Sequence, residues 1–320
     1  MGKYVIRRCL LIIPTLVMVY TIVFVMTRML PGNAVDALLR RAQQLGAGRG
    51  GDREAMEKFL GLDVPTHIQY LRSVKDMVLH GDMGTSLLTG VPVMDTIVER
   101  LPVTIELGVI ALILALLMSV PIGVYSAIRQ DQISDYIFRT VSVVFIAAPG
   151  FWVATLIILY PSIWWQWQPP TDLIKFSESP LGHFKVFLIP SFILGMAMAG
   201  TIMRMTRTMM LETLRQDFIR TAYSKGLREK IVIGRHALKN ALIPVVTIAG
   251  AELPVLIGGS VIIEQIFSLP GTGRLLVDAL GKRDYPMMSA INLIFATAVV
   301  FTNLLVDISY GYLDPRIRYS

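Results

Sequence analysis

Residues 107–128 read LGVIALILALLMSVPIGVYSAI, 22 consecutive residues without a charged side chain. At 1.5 Å per residue such a helix is about as long as the roughly 30 Å hydrocarbon layer is thick, which takes about 20 mostly apolar residues to cross. Comparable uncharged runs go from Cys9 to Thr27, Thr140 to Thr171, Val186 to Met203 and Tyr285 to Val306. A sixth, from Asn240 to Ile263, is interrupted only by Glu252. The sequence therefore predicts an all-α polytopic membrane protein with six transmembrane helices. The run from Thr140 exceeds one span, and Trp164, Trp165 and Trp167 beside Pro169 and Pro170 read as an interfacial aromatic belt, closing that helix near Tyr160.

Composition agrees. Of 320 residues 54% are hydrophobic and 17% charged, against about 25% charged in soluble domains. One cysteine, Cys9, excludes a disulfide framework within the chain and reads as a small apolar packing residue. The first run follows Lys3, Arg7 and Arg8, as a signal peptide would, but it is too long for a signal h-region and no small-residue cleavage site follows, so a retained span is expected.

Six spans put both termini on one side. The connections are 31–101, 129–139, 163–185, 204–239 and 264–284. The side of the termini collects sixteen bases, nine of them from Arg204 to Lys239, against six acids, a net of +10; the other side holds 13 of each sign. Arg28 adds +1, and Glu106, Glu252, Glu264 and Asp307 in or beside spans complete the overall +7. The positive-inside rule then assigns the N-terminus, the 204–239 segment and the C-terminus to the cytoplasm. The organisation expected is residues 1–30 as N-terminus and first span, 31–101 as an extracytoplasmic region, and 102–320 as a five-helix core carrying the cytoplasmic loop 204–239. Helical patterning is visible at Met56 to Leu60 and Ile68 to Leu79, with turn residues at Gly81 and Gly84. Pro14, Pro121, Pro149, Pro190, Pro244 and Pro254 all fall inside the expected spans, where neighbouring helices must absorb a missing N–H.

The basic loop carries the most specific pattern. Residues 212–225 lack Gly and Pro and set Leu214, Phe218, Ile219 and Ala222 on one helical face, expected to point outward together. Gly226 stands where a helix C-terminus takes a left-handed residue, with Lys225 in the last turn. A second amphipathic stretch with Ile231, Ile233, Ala237, Leu238 and Leu242 leads into the fifth span. A topology-holding basic loop, a DNA-binding helix-turn-helix and a docking helix for a cytoplasmic protein all fit this outline. Tethering to spans at both ends speaks against entry into a DNA groove, and the shared apolar face favours docking.

These residues carry a resemblance. Arg220-Thr221-Ala222, Gly226 and Arg235-His236-Ala237-Leu238-Lys239-Asn240-Ala241-Leu242 resemble the EAA signature of ABC-importer permeases, in the form used by the dipeptide/oligopeptide/nickel family. The similarity extends through Gly61-Leu62-Asp63-x-Pro65, Gln69-Tyr70, Gly81-Asp82-x-Gly84-x-Ser86, Pro92-Val93, Glu99-Arg100-Leu101-Pro102-x-Thr104-x-Glu106-Leu107, Glu264-x-Ile266-Phe267-x-x-Pro270-Gly271-x-Gly273-Arg274 and Tyr312-x-Asp314-Pro315-Arg316. The long connection after the first span is like that of the B-type subunit. Arg220-Thr221 replaces the Glu-Ala of the signature, and Lys239 stands where many members have Pro.

The resemblance implies a type I ABC-importer permease fold, with 216–227 as the coupling helix seated on a cytoplasmic ATPase through Asp217, Phe218, Ile219, Arg220, Thr221, Ala222, Lys225 and Gly226. It implies as partners a C-type permease, two ATPase subunits that bind ATP and Mg, and an extracytoplasmic substrate-binding protein. That protein would be met by the 31–101 region and by Glu264, Phe267, Pro270, Gly271, Gly273 and Arg274. The cargo implied is a short peptide, with nickel chelates or glutathione-like solutes as alternatives. No nucleic-acid partner, metal or cofactor on this chain is expected. The residues themselves support that division of labour: no G-x-x-x-x-G-K-S/T occurs, so no phosphate-cradling loop is present.

An ionisable group at mid-span costs roughly 2.5 to 3.5 kcal/mol on insertion scales, and Glu252, followed by Pro254, is the clearest case. It is read either as a polar point on the translocation path, meeting a peptide amino terminus, or as a partner in an interhelical hydrogen bond, in a helix expected to be irregular. Glu106, Glu264 and Asp307 are expected nearer water, and Arg28 to snorkel. An intramembrane enzyme is the rival class, but His67, His80, His183 and His236 all lie outside the expected spans, and neither H-E-x-x-H nor G-x-S-x-G occurs. A passive channel, which would need no ATPase, is a third class.

Overall fold

The computed structural model describes residues 2–29, 35, 58, 63–170 and 172–313. The Gly61-Leu62 and Asp314-Pro315-Arg316 parts of the signature, most of 31–62, and the side chains of Cys9 and Asp307 lie outside the described residues. The long helices are α1 (Gly2–Met29), α3 (Val93–Ile128), α6 (Pro180–Leu214), α8 (Leu238–Ile266) and α10 (Tyr285–Leu313). Between them come α2 (Thr66–His80), α4 (Ile133–Ala147), α5 (Gly150–Trp165), α7 (Asp217–Ser224) and α9 (Thr272–Lys282). Among the described residues five helices are long and apolar enough to cross a membrane, and α4 with α5 makes a sixth crossing if the bent pair counts as one.

That pair corrects the third expected span. The helix does not run on to close near Tyr160: it breaks at Ala148, turns by 97°, and resumes to Trp165. Pro149 dictates the break. Proline has no N–H to give the preceding turn and drives the residue before it out of the helical region, and Ala148 is accordingly extended at ψ 118°. Pro14, Pro190, Pro244 and Pro254 lie within helices, as expected.

The chain divides into two compact units. One comprises residues 1–8, 104–269 and 299–320. In it α3 shows how a bilayer protein differs from a soluble one. Its inward face presents Leu107, Ala111, Ala115 and Ser119, all buried, while Ile105, Val109, Ile113 and Leu117 form an equally regular exposed stripe. Both faces are uncharged, and the inner one is largely small, because lipid solvates bulky apolar groups as well as a core does and close backbone approach supplies the packing. Gly195 of α6 shows that approach: a Cβ there would sit 2.6 Å from the Ala111 carbonyl oxygen. Met198, Ala199 and Ile202 of α6 and Val245, Ala249 and Leu256 of α8 complete this core.

The second unit comprises 9–103 and 270–298. Here α2 lies along α1 through polar contacts: Tyr20 with Ser73 at 2.5 Å, Thr21 with Tyr70 at 2.7 Å, and Arg28 donating to Gln69 at 2.5 Å while stacking over Phe24 at 4.6 Å. Arg28 is thus held by protein groups rather than merely snorkelling. Gly81, expected as a turn residue, caps α2 in the left-handed region at φ +66°. Asp284, 2% exposed, begins α10 and accepts from Ser86 Oγ at 2.5 Å and Leu87 N–H at 3.2 Å.

Candidate functional site

The segment after the fourth span is more helical than a loop. α6 continues from Met203 through Leu214, so Arg204, Arg207 and Glu212 sit on a rod that extends the span. The helix then breaks at Arg215 and Gln216, and α7 covers only Asp217–Ser224 rather than a continuous 212–225. Its C-terminus closes as expected. Gly226 takes φ +75°, its N–H reaches the Tyr223 carbonyl at 2.9 Å and the Leu227 N–H reaches that of Ala222, the paired bonds of a Schellman cap. The turn Glu229–Ile231 and a π-helical stretch Val232–Ala237 then lead into α8. This wide-turn segment coincides with Arg235-His236-Ala237 of the signature.

The apolar face of α7 is turned the other way from expectation. Ile219 and Ala222 do not face outward: they are 1% and 6% exposed, packed with Met210, Val232, Ala237 and Ala241 of the same chain. A short amphipathic helix must cover its apolar stripe somewhere, and α6 with the π-helical stretch and the start of α8 supplies the cover. The aromatic groups flanking that stripe stay open, Phe218 at 44% and Tyr223 at 46% exposed. Outward from them stand Asp217, Arg220, Thr221, Lys225 and Gly226, all exposed. Arg220 and Asp217 approach to 3.6 Å in full solvent, a pair that contributes little to stability. Tyr223 is the member of this surface that the sequence pattern did not single out.

A polar centre absent from the sequence reading joins the ends of α3, α4 and α6. Asp135, within the expected 129–139 connection, is fully buried at the start of α4. It receives Arg207 Nε and Nη2 at 2.7 and 2.6 Å, Ser126 Oγ at 2.5 Å and the Asp131 N–H at 3.0 Å. Every oxygen lone pair direction of the carboxylate is thereby answered by a donor, and the ends of α3, α4 and α6 are tied together.

Glu264 is likewise not at water. It is fully buried and accepts from Thr104 Oγ1 at 2.7 Å. Its own carbonyl takes the Leu269 N–H at 3.0 Å across Ser268, which sits at φ +56°. The expected outer loop is therefore mostly a capped helix end followed by the first turn of α9. Phe267, Gly271 and Gly273 are buried, and Pro270 and Arg274 half-buried, so Glu264, Phe267, Gly271 and Gly273 cannot supply an exposed contact for a binding protein. On α9 the open side chains are instead Val277, Asp278, Leu280 and Lys282.

Glu106 bonds His183 Nε2 at 2.5 Å, while His183 Nδ1 faces the Ile174 carbonyl at 2.6 Å. Since a carbonyl only accepts, Nδ1 carries a proton, and the Nε2 contact requires one more proton on either the imidazole or the carboxyl. Glu252 is half-buried and makes no side-chain hydrogen bond or ion pair among the described residues. The helix around it is α-helical throughout, across Pro254, rather than irregular.

Long apolar helices with buried polar ties, and a short amphipathic helix between the fourth span and the fifth, define a polytopic membrane protein. The family model described as "Binding-protein-dependent transport system inner membrane component" matches residues 119–319. The chain belongs to that family. It is 39% identical to the "Oligopeptide transport system permease protein AppB" of Bacillus subtilis (strain 168) and 36% identical to the "Dipeptide transport system permease protein DppB" of Escherichia coli (strain K12), with 100% of both chains covered in each case. A solved structure described as "Crystal structure of an amino acid ABC transporter with histidines" matches with TM-score 0.52 at 13% identity, covering 68% of this chain and 94% of that one. At that identity the likeness concerns the fold, which is that of type I ABC permeases.

Proposed function

We propose that this chain is one of two permease subunits of an ATP-driven importer and carries short peptides inward by alternating access. The observation that carries the reading is end-to-end similarity to permeases named for oligopeptide and dipeptide transport. A second, C-type permease completes the pathway, two cytoplasmic ATPases bind ATP and Mg, and an extracytoplasmic binding protein delivers the peptide; this chain contributes no catalytic group. The charge count of +10 against zero supports N- and C-termini in the cytoplasm. Docking of the binding protein falls to exposed groups such as Val277 and Leu280 on α9 and to the outer connections.

α7 is the coupling helix in this reading. Its buried Ile219 and Ala222 lock it to α6 and α8, so a force on the helix moves the spans, while Phe218, Tyr223 and Arg220 meet the ATPase. Truncating an aromatic anchor at an interface costs about 1 to 2 kcal/mol or more. Phe218→Ala with Tyr223→Ala is therefore expected to weaken co-purification of the ATPase subunits by at least about tenfold while the permease stays folded. Undiminished co-purification and transport-coupled ATP hydrolysis in that double variant would refute the docking role.

Glu252 and Pro254 are assigned to the translocation path, Glu252 because its carboxyl has no hydrogen-bond or ion-pair partner among the described residues. Glu252→Gln should reduce uptake of peptides with a free amino terminus several-fold more than uptake of N-acetylated ones. Equal effects on both would remove Glu252 from substrate contact.

A further inference from the structure

We infer that a pocket of about 260 Å³ between α4 and α6 binds the phosphate of an anionic phospholipid headgroup. Arg139 lines it from α4, and Arg204 and Arg207, three residues apart and so on one face, line it from α6. Arg207 is bound to Asp135, the carboxylate the local charge would otherwise seek. That leaves Arg139 and Arg204. Both are exposed, neither forms an ion pair among the described residues, and Arg139 only stacks over Tyr136 at 5.5 Å. Two forked guanidinium groups converging on one concavity suit a phosphate's oxygens.

Hydroxyl protons do not compete for that role. Ser142 donates to the Arg139 carbonyl at 2.7 Å and Thr208 to that of Arg204 at 3.0 Å, which leaves the guanidinium N–H groups as the pocket's charged donors. The lipid, rather than a free anion, is indicated by what adjoins the pocket. Val143, in its wall four residues after Arg139, and Ile146 three residues further on the same face are 56% and 40% exposed on α4, an apolar track leading from the arginines along the helix on which acyl chains can lie. A basic pocket between spans at a membrane surface is the chemistry that holds anionic headgroups. Only the leaflet, the cytoplasmic one, rests on the orientation proposed above; binding itself does not, so failure of either is separately visible.

The test is a titration of the full chain, purified in detergent, with a fluorescent phosphatidylglycerol and a matching phosphatidylcholine. Each guanidinium near an anionic lipid is worth roughly a fivefold change in binding, so Arg139→Gln with Arg204→Gln should lose roughly 25-fold in phosphatidylglycerol affinity. Arg228→Gln with Lys230→Gln, which removes two exposed charges outside the pocket, should leave the preference intact. Three results would each overturn the proposal: phosphatidylglycerol binding unchanged by the pocket variant, equal losses in both double variants, or displacement of the lipid by inorganic phosphate at the same free concentration. Loss of the bound lipid when the complete complex is assembled would instead assign the pocket to a partner subunit, and would equally overturn it.

Discussion

Arg207→Ala is expected to destabilise the protein by about 3 to 5 kcal/mol, the range for leaving a buried carboxylate without its counter-ion. Asp135 has no exposed surface, and after the truncation only Ser126 and one backbone N–H would face it. The loss falls where the ends of α3, α4 and α6 meet. The purified variant should melt well below the wild-type chain in detergent, or yield little folded protein. Arg207→Lys keeps the charge but not the two-pronged contact at 2.7 and 2.6 Å, and should fall between. A melting temperature for Arg207→Ala within a degree or two of wild type would show that the pair contributes no net stability.

Ala222→Glu should have an effect of comparable size for a related reason. Ala222 is 6% exposed against Met210, Val232 and Ala237, so the new carboxyl would enter a closed apolar cluster with no cation among its members. Burying a polar group without a partner costs at least about 1 to 3 kcal/mol, and a charge more. The expected result is detachment of α7 and the π-helical stretch, seen as protease cleavage within 215–235, together with loss of transport. Phe218→Ala, one turn away but half-exposed, should leave the proteolysis pattern unchanged. If Ala222→Glu remained as protease-resistant as wild type, the inward face of α7 would be misassigned.

This contrast marks where the sequence stops being sufficient. The spans are legible because an ionisable group in hydrocarbon costs several kcal/mol, so long apolar runs with at most one charge locate them. The 97° turn between α4 and α5 is not, since the run on both sides of Pro149 is equally apolar and length cannot tell one long helix from two. The cap at Gly226 is legible because it is local chemistry. The direction of Ile219 and Ala222 is not: an amphipathic stripe fits its own chain and a partner equally well until the neighbouring helices are in place. Asp135 with Arg207, 72 residues apart, and Glu106 with His183, 77 apart, look like separate loop and span-end charges until the fold joins them. Glu264 illustrates the same point in reverse, since nearness to a span end does not bring a side chain to water when the next turn is packed over it.

ATP-driven uptake of a labelled dipeptide into proteoliposomes tests the account most directly. The chain would be reconstituted with its companion permease, the ATPases and, on the outer side, the binding protein. Accumulation should require both ATP and the binding protein, and should fall at least about tenfold with Phe218→Ala plus Tyr223→Ala. Uptake that proceeds by equilibration without ATP, or that persists undiminished in that variant, would contradict it.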